Sequence, residues 1–449
     1  MPKKEYQWCI GKTPPEIEVH SLAKHRVYEE YISHYIQVSY ANPNIPQANI
    51  AMIDAFSGGG VYTHPLEQHA LHEGSPIRII KAAEAAVAAI NVKRKQAGIR
   101  KSFQLNTKYY FVDQNKNACK YLGHYLNEIG LRNESQRQIQ IVNGEFEQKI
   151  DKIIRDVSKH TSVGRAIFIL DQCGWSYAPF DKIRLIFEKL PKAEVILTFA
   201  TDWLMAYISE KDTFLKAYER TGLQDVFPVK RLIEIKEENR HWRGLIQFYL
   251  HRHIRELSGA SFYTPFFIRS DAANRTFWLL HLSGHARARD VMTDLHWQIK
   301  NQFSHALGRG INMFGYDPMH DSKVIGIQDF FQQPECKFDD LDYEFSRQEI
   351  LGELPFVLDQ YRDGIAFSQL YRKIANHTPA TMELLKEVIG FLISYKAVMV
   401  MSKEKKQRRK PSTIRNDDVI RLSKQRSFFL FSDGKEQGFD KKQKVDVLD

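Results

Sequence analysis

The run Ile53-Asp54-Ala55-Phe56-Ser57-Gly58-Gly59-Gly60 holds the residue types best suited to chemistry. An apolar stretch ends in a carboxylate and passes into three glycines. Glycines at a strand-to-helix turn accept positive φ and let a ligand approach the backbone closely. In an open α/β sheet, ligands bind beyond the carboxyl ends of the strands, where this run would lie. Three more runs end in the same manner. FVD stops at Asp113, IQIVN stops at Asn143 before Gly144 and Glu145, and AIFILD stops at Asp171 before Gln172, Cys173, Gly174 and Trp175. Successive strands thus deliver polar side chains to one edge. A carboxylate such as Asp113 can accept hydrogen bonds from ribose hydroxyls, the geometry a nicotinamide enzyme also uses. Asp113 follows Asp54 by 59 residues, however, against the roughly 20 of the dinucleotide fingerprint. Each acid taken singly has a second use, as the N-cap of a helix.

These residues need a sheet to hold them. NIAMIDAF, KYYFVD, AIFILD and EVILTFA are nearly continuous apolar runs, as strands covered on both faces should be. Helical patterns lie between them, which implies βαβ units and a mostly parallel sheet. SFYTPFFIRS and TFWLLHLS, joined by DAANR, read as an antiparallel hairpin. A mostly parallel sheet with a terminal antiparallel strand is the layout of the class I methyltransferase-like, or Rossmann-like, α/β fold. Ahead of it, residues 16–40 place Leu22, Val27, Tyr28, Ile32 and Tyr35 at helical spacing, and residues 205–260 read as a charged helical insertion.

The first unit is expected over 1–330. After a segment rich in Asp and Gln (328–343), a second unit is expected over 345–435. It has three helical stretches, the third starting near Thr378 or Pro379, and then a strand, a basic turn and a return. That order suggests a winged helix-turn-helix, an α+β domain. The tail 436–449 reads as disordered. A length of 449 residues with 43% apolar content excludes a low-complexity chain. No run reaches the roughly 20 apolar residues of a membrane helix, and the N-terminus lacks a signal-like apolar region, so a cytoplasmic protein without a membrane partner is expected. The net charge of +10 is compatible with a polyanionic partner. Cys9, Cys119, Cys173 and Cys336 have no metal or disulfide spacing. His64, His69 and His72 cluster without a common metal pattern, so no metal is expected. His281 and His285 read as structural. Arg287, Arg289 and Arg309 suggest a basic face, and Lys403, Lys405, Lys406, Arg408, Arg409 and Lys410 a phosphate-binding turn.

The ordered pattern KH at Lys24 and His25, DAFSGGG, GSP at Gly74 to Pro76, FVD and DQCGW resembles the three-Cys-motif partner protein family. It is more distantly similar to the ribosomal RNA adenine-N6 methyltransferases. The resemblance extends through HARARDVMTDLHW and LPFVLDQYRDGIAFSQLYRKIANHT. It implies a methyltransferase with bound S-adenosyl-L-methionine, acting on nucleic acid, and, from the family's name, a partner protein encoded alongside. Gly58, Gly59 and Gly60 would line its methionine and ribose side, and Asp113 with Gln114 would meet the ribose. Asn143, Gly144 and Glu145 would flank the adenine, with Lys24, His25, Asp54, Phe56, Ser75 and Asp171 close by. The chain departs from the RNA-modifying relatives at the fourth strand, where Asp-Pro-Pro-Tyr is replaced by Asp171-Gln172-Cys173-Gly174-Trp175-Ser176-Tyr177. Asp171 could accept from an acceptor amine or take its proton. Trp175 or Tyr177 could stack on a planar acceptor, a contact worth about 1–3 kcal/mol. Cys173 could serve as a covalent nucleophile or simply pack. The altered loop also leaves open a binding protein that has lost its chemistry.

Overall fold

The computed structural model describes residues 6–64, 67, 70–132, 137–239, 242–270, 275–299, 310–311 and 338–423. His69, Arg309, Cys336 and the expected tail lie outside them. The apolar runs form the centre of one sheet. Along the chain come β1 (Gln47–Asp54), a small hairpin of β2 (Val61–Thr63) and β3 (Leu71–Glu73), β4 (Gln104–Asp113), β5 (Arg137–Asn143), β6 (Ala166–Leu170), β7 (Ala193–Phe199), β8 (Phe262–Ser270) and β9 (Arg275–Ser283). The main sheet runs β5-β4-β1-β6-β7-β9-β8. The first five strands pair in parallel, while β9 is antiparallel to both neighbours. Every residue of β6 and β7 is buried, because helices cover both faces.

Those helices, numbered along the chain, make two apolar layers. On one face lie α1 (Val19–Ser39), α2 (Ser75–Gln96), α3 (Lys116–Glu128) and α10 (Ala286–Gln298). On the other lie α4 (Phe146–His160), α5 (Phe180–Lys189) and a helical insertion of α6 (Thr201–Ala206), α7 (Asp212–Thr221), α8 (Val229–Glu238) and α9 (Trp242–Ser258). The insertion therefore falls between β7 and the hairpin, as the sequence indicates. Val27, Tyr28, Ile32 and Tyr35 of α1 are all buried. No helix among the described residues is long and apolar enough to cross a membrane.

The C-terminal unit begins a little earlier than expected, with the helix Asp340–Asp359 capped by Asp339. It continues through β10 (Ile365–Ala366), helices Phe367–Ile374 and Met382–Ser394, β11 (Val398–Met401), β12 (Gln407–Arg408) and β13 (Val419–Leu422). The third helix is capped by Thr381, whose hydroxyl accepts from Leu384 N, and not by Thr378 or Pro379. Thr378 and Pro379 have another use: their carbonyls accept from Arg289 and from Trp297 Nε1.

Arg289 corrects the expected basic face. It is fully buried and donates to the Tyr371 hydroxyl at 2.7 Å and to the carbonyls of Thr378 and Ala380. Asp290 beside it accepts from Met382 N at 2.7 Å. The second unit is thus pinned to α10 of the first through a buried cation. His281 is buried 3.0 Å from the Tyr31 hydroxyl and 3.1 Å from Glu194, and His285 accepts from Arg287 N at the start of α10.

Candidate functional site

The parallel strands bring Asp54, Asp113, Asn143 and Asp171 to one edge of the sheet, as their positions at the strand ends require. Asp54 ends the central strand and is completely buried. Its Oδ1 accepts from Phe56 N at 3.3 Å, and the Ser75 side chain hydrogen-bonds the same carboxyl. Its Oδ2 is buried with no partner. Burial outweighs these hydrogen bonds and pushes the Asp54 carboxyl up to about 7.

Asp113 does not cap α3; Asn115 does, accepting from Asn117 N and Ala118 N. Asp113 instead clamps the glycine loop. Its Oδ2 accepts from Gly58 N at 2.9 Å and its Oδ1 from Asn115 N at 2.7 Å. Gly58 and Gly60 have φ of 58° and 78°, the left-handed region glycine tolerates. Gly59 is required by a neighbour, because a Cβ there would lie 2.3 Å from the ring of Trp8. Gly74 completes this packing, donating its N–H to Gly60 O at 2.8 Å.

Asn143 donates its amide to the carbonyls of Asp113 and Gln114, both at 3.0 Å. It therefore shapes the β4 terminus. Gly144 follows with φ 146°. Glu145 is held by Arg220 of α7 at 2.8 Å. Phe56 leans against Phe146, with ring centroids 6.3 Å apart.

Asp171 pairs with Lys24, Nζ to Oδ1 at 2.6 Å, and both side chains are largely buried. Burial opposes ionisation of Asp171, but the Lys24 charge and hydrogen bond outweigh it and hold the carboxyl below its ordinary value. This arrangement favours accepting a hydrogen bond over taking a proton. His25 is buried, with Nδ1 3.3 Å from His72 Nε2. Desolvation lowers His25 to about 3, and His72 to about 4, so both rings are neutral near pH 7.

Trp175 does not face the site as a stacking platform. It is 8% exposed and packs into the insertion against Phe214 at 5.6 Å and Tyr218 at 6.2 Å. A large apolar ring beside the exposed flank of a sheet gains more by joining that core. Tyr177 is half-buried, with the Arg220 guanidinium 5.7 Å from its ring centre. Gln172 fixes the loop by accepting from Tyr177 N and Ala178 N. Cys173 is exposed on the same loop.

Two features escaped the sequence. One is the N-terminal stretch that carries Tyr6 and Trp8 to the glycine loop. Their rings pack with Tyr62, each pair of centroids 5.5–5.6 Å apart, and Trp8 Nε1 donates to Val61 O. Burial raises the Tyr6 hydroxyl, with Glu18, Cys173 and Asp171 adding to it. The other is Arg220, which no spacing ties to strands β5 and β6. Neither had a signal beyond isolated aromatic and basic residues.

The seven strands, numbered within the sheet, follow the order 3-2-1-4-5-7-6 with the seventh antiparallel. That is the class I methyltransferase fold. No family model matches the chain, and no curated protein is significantly similar to it. Among solved structures, it is similar to protein LPL1258 of Legionella pneumophila, from the DUF519 family model. The identity is 10% over 62% of this chain and 91% of that one, with a TM-score of 0.34. It is also similar to M. capricolum TrmK bound to S-adenosylhomocysteine, at 10% identity over 77% and 92%, TM-score 0.21. A loganic acid methyltransferase with S-adenosylhomocysteine aligns at 10% identity over 62% and 84%, TM-score 0.21. The strand order, and not these likenesses, defines the fold.

Proposed function

We propose that the chain transfers the methyl group of S-adenosylmethionine to a base of a nucleic acid. The observation that carries this reading is the buried, unpartnered Oδ2 of Asp54 beside a glycine loop that Asp113 clamps. Burial disfavours the charged form of this carboxyl, and a cationic ligand over the loop would offset that penalty. S-Adenosylmethionine is such a cation, and when bound it supplies an electrophilic methyl group. The chain's residues do the rest. Gly58, Gly59 and Gly60 give the ligand backbone without side chains. Asp113, which accepts from Gly58 N and Asn115 N, offers carboxylate oxygens to ribose hydroxyls. Lys24 keeps Asp171 ionised, so that its carboxylate can accept from an N–H of the acceptor and orient it. Methyl transfer then needs in-line approach at about 3–3.5 Å.

The nucleic-acid part of the reading rests on charge. Lys405, Lys406, Arg409 and Lys410 are exposed around the β11–β12 turn of the C-terminal unit, whose element order suits a winged helix. Arg408 does not belong with them, since it donates to Asp418 at 2.9 Å. Lys403 pairs with Asp417. The deciding experiment incubates the protein with labelled S-adenosylmethionine and total RNA, DNA and protein. Label in a nucleic-acid fraction, lost in Asp171→Ala, is the expected result. Donor binding without label in any fraction would instead indicate a binding protein, and absence of donor binding would end the reading.

A further inference from the structure

Arg220 stands at the last turn of α7 and touches both loops that border the site. Its Nη2 donates to Glu145 Oε2 at 2.8 Å and its Nε to Glu147 Oε2 at 2.9 Å. Both glutamates belong to the turn where β5 gives way to α4. The same guanidinium lies 5.7 Å from the ring centre of Tyr177, on the loop after β6. An arginine suits this position because its planar fork meets carboxylates edge-on while its face lies against an aromatic ring. Lower on the same helix, Phe214 and Tyr218 hold Trp175 of that loop. The helix therefore grips the β6 loop at two places, and through Arg220 it also grips the β5 loop.

We propose that Arg220 is a positioning residue that couples the two sides of the site, so that a ligand on the Glu145 side also orders the Asp171–Tyr177 side. This rests on the methyltransferase reading, in which Glu145 flanks the adenine and the β6 loop meets the acceptor. Stability alone would not explain the arrangement. The three charged side chains are 31%, 43% and 38% exposed, and ion pairs so exposed contribute little to folding. What the contacts do fix is the relative placement of the two loops.

The test is amide hydrogen exchange on the full chain with and without S-adenosylhomocysteine. In the wild type, the ligand is expected to slow exchange in both residues 143–147 and residues 172–178. In Arg220→Gln, protection is expected to remain at 143–147 and to disappear at 172–178, with ligand affinity within about threefold of wild type. The acceptor KM should rise about five- to tenfold in that variant, with a smaller change in kcat. Arg220→Lys keeps the charge without the fork and should recover only part of the effect. Arg220→Met, which keeps the apolar stem without the fork, provides a second break in the same link should Arg220→Gln fold poorly. Protection at 172–178 that persists in these variants, or that never occurs in the wild type while 143–147 is protected, overturns the coupling and leaves the methyltransferase reading intact. Failure of the wild type to bind the ligand at all removes that reading and this one together.

Discussion

The carboxylate of Asp113 accepts the backbone N–H of Gly58 at 2.9 Å, across 55 residues of sequence. One side chain at the end of β4 therefore sets the glycine loop at the end of β1, in addition to any ligand it holds. Asp113→Ala should loosen the loop and remove a charged acceptor at once. S-Adenosylhomocysteine affinity, measured by calorimetry, should fall about 10- to 150-fold, corresponding to roughly 1.5–3 kcal/mol. Equal affinity in the mutant would show that Asp113 serves the loop only.

The buried carboxyl of Asp54, raised to about 7 by desolvation, makes stability depend on pH. Between about pH 4 and 7 the folded state keeps a proton that the unfolded state has lost, so this residue lowers stability as pH rises, and the loss is complete above 7. Asp54→Asn should gain on the wild type by about 1.4 kcal/mol per pH unit across that window. Denaturant midpoints at pH 5 and pH 8 check the slope; parallel stability curves would contradict it. The same proton should be released when a cationic donor binds at pH 6, visible as buffer-dependent binding enthalpy.

Lys24 and Asp171 are a buried pair at 2.6 Å. Removing one partner leaves a buried charge, so Lys24→Met alone should destabilise the protein by about 3–5 kcal/mol. Joint replacement, Lys24→Met with Asp171→Leu, should recover most of that stability while methyl transfer stays absent. Chemical denaturation and the labelled-donor assay together separate the two roles. Recovery of transfer in the double variant would remove Asp171 from the mechanism.

The basic turn offers a test by salt. Changing Lys406, Arg409 and Lys410 to Gln should flatten the slope of log affinity against log salt by about 2–3 if each meets a phosphate. Arg408→Gln should leave that slope alone and lower stability, because it removes the cationic partner of Asp418, which is 2% exposed. An unchanged slope in the triple variant would put the turn in free solvent. Removing the whole C-terminal unit is a poor version of this experiment, since Arg289 would lose Tyr371, Thr378 and Ala380 together.

Sequence by itself determined the parallel sheet, its antiparallel strand and the edge that collects Asp54, Asp113, Asn143 and Asp171. Those features follow from local patterns: apolar runs covered on both faces, and polar residues where each run stops. Whether an acid at such a stop caps a helix, clamps a loop or pairs with a lysine depends on which chain segments arrive beside it. Only the tertiary structure decided that Asn115 and not Asp113 caps α3, that Lys24 holds Asp171, and that Trp175 turns into the insertion. Arg289 shows the same limit. In sequence it reads as one of several surface arginines. In the fold it is a buried bond between two units, because the carbonyls that accept from it lie 89 and 91 residues away. Pairings across such distances leave no periodicity for a sequence to display, since each is fixed by how separate elements pack.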